Sequence, residues 1–420
     1  MNKRSFFSFI LVIAVFAGCS QEQESPTKVG NIASIDSLIQ DAVDKEHIPG
    51  AVIRLQQGDS VLHFKAYGFA QKYRYGMEEL KNPEPMQVEH LFDLASLTKV
   101  FATTFGIMVL NDRGQLSLND PVSDYLEGFK RESRQEITIR HLLTHSSGLP
   151  QWFPLYYLAS NKEERLEAIS GMPLEWKVGK GRHYSDLGFM ILGDVIERVS
   201  GQTLDEFLQQ EFYGMLNLSK TVFNPLDKGF SKIAATSHGN PFEKRMVYDD
   251  DFGYRVDVDP ESWDGWREYT LKGEVNDGNS WYANGGVAGH AGLFSTAEEL
   301  QVMINLLLHE GRHRGEQVIS KAVIDTFLTK DRFGNGLGWA MDKGFIAAEG
   351  TPEGTFGHTG FTGTNVVVIP EENLSIIFLT NRQNSGLQKN GTYFNLKTLR
   401  QQIITAVMNS TDSTKMRNDD

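Results

Sequence analysis

A hydroxyl three residues ahead of an amine is the pattern in this chain best able to attack a carbonyl. Ser96-Leu97-Thr98-Lys99 is followed by the apolar residues Val100, Phe101 and Ala102 and then Ile107 to Leu110. The spacing predicts a buried helix running from Ser96 to about Asn111. Positions i and i+3 share a helix face, so the Lys99 amine can reach the Ser96 hydroxyl. A serine needs a base to become a nucleophile, and lysine serves only if its pKa falls well below about 10.4. Backbone N–H groups at a helix start can also receive a developing oxyanion. Taken alone, the four residues read better as a Ser cap with an exposed lysine.

Two later motifs change that reading. Tyr184-Ser185-Asp186 opens a helical run, Leu187 to Val199, and His358-Thr359-Gly360 lies between Gly354-Thr355-Phe356-Gly357 and the strand-like Asn365 to Ile369. The order S-x-x-K, Y-x-N-like, K/H-T-G resembles the penicillin-recognising serine hydrolases: class C β-lactamases, D-Ala-D-Ala carboxypeptidases, and related esterases and amidases. The segment from Ile137 to Pro150 resembles the stretch that follows the nucleophile helix in that family, and the likeness spans about residues 31 to 408.

The resemblance implies Ser96 as nucleophile, with Lys99 and Tyr184 as proton carriers. It implies the N–H groups of Ser96 and Phe361 as the oxyanion hole. His358, Thr359 and Gly360 would line the cleft, and Asp186 stands where asparagine is more common. A carboxylate at 186 favours charged Lys99, which conflicts with a simple lysine base. Histidine in place of the more usual lysine at 358 weakens, but does not remove, recognition of a substrate carboxylate. The implied work is hydrolysis, through an acyl-enzyme, of amide bonds in peptidoglycan fragments, muramyl–L-Ala or terminal D-Ala–D-Ala. The alternatives are a β-lactamase, a broad esterase, or a catalytically silent penicillin-binding lipoprotein.

The elements that must position these groups are legible in outline. Residues 32 to 46 repeat apolar positions at helical spacing. Ala51 to Leu55 and Val61 to Tyr67 flank Gln57-Gly58-Asp59 as a hairpin. Glu298 to Leu308 reads as a helix, and Gly338 to Ile346, Thr364 to Ile369 and Leu374 to Thr380 as strands. Phe394 to Met408 reads as a closing amphipathic helix. The expected fold is α+β, β-lactamase/transpeptidase-like: an antiparallel sheet flanked by the terminal helices (about 31–95 and 296–408) beside a helical lobe (about 96–295). The site would lie between the two. Asn276 to Asn279 and the glycine-dense Gly285 to Phe294 form a tight loop resembling one in the N-acetylmuramyl-L-alanine amidase branch. His141 and His145, four apart, have no following glutamate and read as loop histidines; no metal or cofactor is expected.

The first eighteen residues read as a signal peptide, with Lys3 and Arg4 before an apolar run from Phe6 to Ala17. Phe16-Ala17-Gly18-Cys19 resembles a lipobox, and Cys19 is the chain's one cysteine, so lipidation there is expected. Residues 19–30 read as a tether and 409–420 as a disordered tail. With 420 residues, 40% hydrophobic, the chain can bury a large core. A net charge of −13 speaks against nucleic acid as a partner. The expected setting is the bacterial envelope, a lipid-anchored monomer acting on a peptidoglycan-derived peptide or a β-lactam.

Overall fold

The computed structural model describes residues 32–252, 256–342, 344 and 346–415. The chain opens with helix α1 (Ile32–Asp44) and three strands, β1 (Gly50–Gln57), β2 (Ser60–Arg74) and β3 (Glu78–Pro85). It ends with β9 (Phe356–Thr359), β10 (Asn365–Ile369), β11 (Leu374–Thr380) and α11 (Lys397–Lys415). These strands form one antiparallel sheet in the order β3-β2-β1-β11-β10-β9, so both ends of the chain meet at the β1–β11 pairing. The register sets Ile53 opposite Phe378 and Leu55 opposite Ile376.

Alternation along these strands explains why both sheet faces are covered. Ile53, Leu55, Ile376 and Phe378 pack with Ile35 and Ile39 of α1 and Ile403 and Ile404 of α11. Their neighbours Val52, Ile377 and Leu379 point the other way, into the larger core. Each such side chain fully withdrawn from water stabilises the fold by about 1.5–3 kcal/mol.

The middle of the chain is helical and loop-rich. Two-residue strand β4 (Phe92–Asp93) leads to a π-helical segment, Lys99–Thr104, which runs into α2 (Phe105–Asp112). There follow α3 (Ile139–Leu143), α4 (Lys162–Gly171), α5 (Asp186–Ser200), α6 (Leu204–Leu208), β5 (Val222–Phe223), α7 (Pro241–Tyr248) and α8 (Gly278–Asn284). Strand β6 (Leu293–Ser295), α9 (Ala297–Leu308), the short hairpin β7 (Arg312–His313) and β8 (Glu316–Gln317), and α10 (Lys321–Leu328) return the chain to the sheet. Phe105 stacks on Phe212 at 4.7 Å, and Trp339 sets its edge against Phe101 and Phe356. These rings join the helical core to strand β9.

Two expectations are corrected and one strand is added. Gly338 to Ile346 is not a strand, since only Ala340 bridges to Gly357. Trp339 there is buried in the larger core, and the Ala340–Gly357 bridge is not extended into a ladder among the described residues. β3 is missed from sequence because Glu78 to Pro85 is polar, as an edge strand can be. Helix α11 continues through Lys415, so residues 409–415 are helical where a disordered tail is expected. Residues 416–420, the signal segment, Cys19 and the tether lie outside the described residues.

Candidate active site

Ser96 sits at a turn built from both sides of the molecule. Ala95, just before Ser96, has φ +45°, a left-handed conformation that a side chain resists. Asp93 holds it there: one carboxylate oxygen accepts the Ala95 N–H at 2.8 Å and the other the Asn276 N–H at 2.6 Å. Burial pushes the Asp93 carboxyl up to about 6, although those two N–H donors favour its charged form. The Leu94 N–H donates to the Leu293 carbonyl, and Thr98 Oγ1 accepts the Leu293 N–H at 3.1 Å. The loop from Asn276 to Phe294 is thus bonded to the nucleophile turn along its length.

Lys99 is wholly buried. Its Nζ lies 2.9 Å from Ser96 Oγ, 3.1 Å from the His290 carbonyl oxygen and 2.7 Å from Asp186 Oδ1. An ammonium has three donors and no acceptor, and these oxygens together with the Tyr184 hydroxyl face it. Burial opposes the charge, but Asp186 and Tyr184 outweigh burial and hold the amine above its ordinary value. The lowered pKa that a lysine base requires is therefore not what the surroundings produce.

Ser185 caps α5 through its Oγ, which accepts the Gly188 N–H. Its own N–H donates to His145 Nδ1 at 3.0 Å, and the His145 carbonyl accepts the His183 N–H. His145 thereby fixes the turn that carries Tyr184, and its ring lies 4.4 Å from the tyrosine ring. His141 is committed elsewhere, to the Thr138 N–H at the start of α3. Among the described residues no group of three His, Cys, Asp or Glu is gathered to hold a metal. The Tyr184 hydroxyl meets both Ser96 and Lys99; burial raises its pKa, and Lys99 acts against that rise.

His358, Thr359 and Gly360 end β9 at the sheet edge. His358 is buried beside charged Lys99, which pushes its pKa down to about 3 and keeps it neutral at ordinary pH. Gly360 has no room for a side chain: an added Cβ would lie 2.1 Å from Thr364 Oγ1 and 2.3 Å from the Leu94 carbonyl oxygen. Thr362 and Thr364 donate their hydroxyls to the Asp93 and Leu94 carbonyls at 2.7 and 3.0 Å. Those bonds lock the β9–β10 turn to the nucleophile turn. The Gly360 carbonyl accepts the Gly363 N–H, fixing the peptide that carries the Phe361 N–H. Arg382 then clamps the Phe361 carbonyl at 2.6 Å. The Ser96 and Phe361 N–H groups find no acceptor among the described residues, as an oxyanion hole requires.

A cavity of about 250 Å³ opens beside Ser96, lined by Tyr184, Asp186, Asp277, His290, Ala291 and Phe361 among others. Its remaining walls, including Gln151, Trp152 and Phe242, Glu243 and Met246 of α7, carry no motif in the sequence. Asp277 accepts His290 Nε2 at 2.8 Å and the Ser280 N–H at 2.7 Å, so the glycine-dense loop does line the cleft.

Residues 35–399 match a family model described as Beta-lactamase. The chain belongs to the β-lactamase family. It is a serine hydrolase of that family, 33% identical over 361 residues to an N-acetylmuramyl-L-alanine amidase of Bacillus subtilis, covering 80% of this chain and 78% of that protein. A putative D-alanyl-D-alanine carboxypeptidase of Escherichia coli (strain K12) is 31% identical over 401 residues, covering 89% and 88%. Among solved structures, EstCE1, a hydrolase with promiscuous acyltransferase activity, superposes with a TM-score of 0.65 at 22% identity, over 89% of this chain and 97% of its own. The class C β-lactamase from Rhodobacter sphaeroides has a TM-score of 0.62 at 18% identity, over 89% and 99%. These structural likenesses show the shared fold.

Proposed function

We propose that this member of the family cleaves the amide between an N-acetylmuramyl group and L-alanine in peptidoglycan fragments. In this reading Ser96 Oγ bonds to the carbonyl carbon, and its proton passes to a Tyr184 phenolate facing Lys99. The N–H groups of Ser96 and Phe361 receive the oxyanion. Tyr184 returns the proton to the leaving amine as the C–N bond breaks, and water then releases the acyl group from Ser96. The observation that carries the choice of substrate is the charge of the cleft. His358 is held neutral, and Asp186 and Asp277 line the cavity without an arginine or lysine among its walls, while nearby Lys99 is paired with Asp186. A D-Ala-D-Ala terminus and a β-lactam each bring a carboxylate to such a site, whereas a muramyl–L-Ala amide presents a neutral acyl group. The amidase relative supports the same choice, and the carboxypeptidase relatives keep D-Ala-D-Ala as the second reading.

The test compares one purified enzyme on MurNAc-L-Ala-peptide, diacetyl-Lys-D-Ala-D-Ala and nitrocefin. Release of MurNAc is expected, with Ser96→Ala inactive and unlabelled by a fluorophosphonate. Nitrocefin turnover at kcat/KM of about 10⁴ M⁻¹s⁻¹ or more with both wall substrates intact would replace the amidase reading with a β-lactamase.

A further inference from the structure

Glu243 is a buried carboxyl in the cavity of Ser96 that the chemistry above does not use. Helix α7 delivers it together with Phe242 and Met246, which supply apolar wall on either side. One carboxyl oxygen accepts the Gly278 N–H at 2.8 Å; the other lies 3.3 Å from the Tyr156 hydroxyl. Gly278 makes the space for it, because a Cβ there would come within 2.2 Å of Glu243 Oε2. Asp277, adjacent in sequence to that glycine, is a second enclosed carboxyl, and it has a hydrogen-bond partner in His290 at 2.8 Å. Two neighbouring carboxyls in one enclosed site do not both ionise readily. Asp277, with the histidine, keeps the charge, and Glu243 takes the proton.

We propose that Glu243 is a specificity-determining residue whose carboxyl donates a hydrogen bond to an oxygen acceptor on an uncharged acyl group of the substrate. This rests on the serine-hydrolase reading and narrows its substrate to neutral, acceptor-bearing acyl groups, such as an N-acetylated sugar acid. The groups that set the carboxyl's charge face it from several elements. Burial and Asp277 push its pKa up to about 8, while Arg267 and the Tyr156 hydroxyl act against them. Tyr282 and Tyr393 also lie within its field. Below that value the acid is a donor; above it, a carboxylate that repels an anionic substrate and can no longer donate.

Three 4-nitrophenyl hexanoates that differ only at the far end, in acetamide, carboxylate or ammonium, separate the possibilities. Wild type should prefer the acetamide ester. Its carboxylate-to-acetamide ratio of kcat/KM should fall about tenfold between pH 7 and 9 as Glu243 ionises. Glu243→Gln keeps a donor and cannot ionise, so it should lose no more than about threefold on the acetamide ester, with a ratio flat in pH; Glu243→Ala should lose about thirtyfold. Fluorophosphonate labelling of Ser96 in each variant reports an intact site, so a wild type that fails to label condemns the site assignment and not this proposal. With labelling intact, three results would overturn the role of Glu243. These are Gln as damaged as Ala, neither variant impaired, or a wild-type preference for the ammonium ester that Gln abolishes.

Discussion

Oxygens surround the Lys99 ammonium, and one of them belongs to a carboxylate. Asp186 therefore decides the roles of the two proton carriers. In the proposed mechanism, with the lysine kept charged, the base is the Tyr184 phenolate, whose pKa burial raises above the usual tyrosine value. The sign follows: the active form is the deprotonated one, so kcat/KM on a neutral ester should keep climbing with pH past about 9. A lysine base of lowered pKa would instead plateau near neutrality. Tyr184→Phe should lose about 10² and flatten the profile. Asp186→Asn leaves burial to govern Lys99, so the rise in its profile should shift to lower pH. A wild-type profile already flat above about pH 7.5 would return the role of base to Lys99.

Helix α5 and the glycine-dense loop meet through backbone alone, and that contact sets where Lys99 finds its carbonyl. Gly193 and Gly289 face each other, with an added Cβ on residue 289 only 2.1 Å from the Phe189 carbonyl oxygen and 3.0 Å from the Gly193 nitrogen. The Gly289 carbonyl accepts the Thr103 hydroxyl at 2.6 Å, and the next carbonyl, of His290, accepts Lys99. Gly289→Ala should therefore push the loop off the helix. The expected cost is about 1–3 kcal/mol of stability, as for other overpacked sites. Thermal unfolding measures that term, and slower labelling of Ser96 reads out the displaced carbonyl. Full stability and full labelling would mean that the loop does not position Lys99. The dense glycine run in the sequence signals a close approach, but not the partner.

At the scale of the molecule, the first and last segments build one sheet and its covering helices, while the middle supplies the opposite wall of the cleft. Asp93, Asn276 and Thr362 meet beside Ser96 from three parts of the chain, so the site exists only when both parts are assembled. Among the described residues no helix is long and apolar enough to cross a membrane. We propose that the chain is held at the envelope through lipid on Cys19. Cys19→Ser should move it from the membrane fraction to the soluble fraction with its ester hydrolysis unchanged. Retention of the variant in the membrane fraction would end the lipobox reading.

Periodicity and spacing alone determined the local features. The three-residue step from Ser96 to Lys99, the short apolar runs of β1, β10 and β11, and the helical repeats of α1, α5 and α9 each depend on neighbours within a few positions. The motif order was enough to indicate the family. Tertiary structure decided the rest. Glu243 has no local signature, and it enters the cleft because α7 lies against the start of α8. Asp93, Thr362, Thr364 and Arg382 hold the oxyanion turn from positions that no short pattern links to Ser96. The charge on Lys99 depends on burial together with a carboxylate and a phenol more than eighty residues along the chain. Faces and turns are local properties of the backbone, whereas desolvation and ion pairing depend on which distant segments pack together.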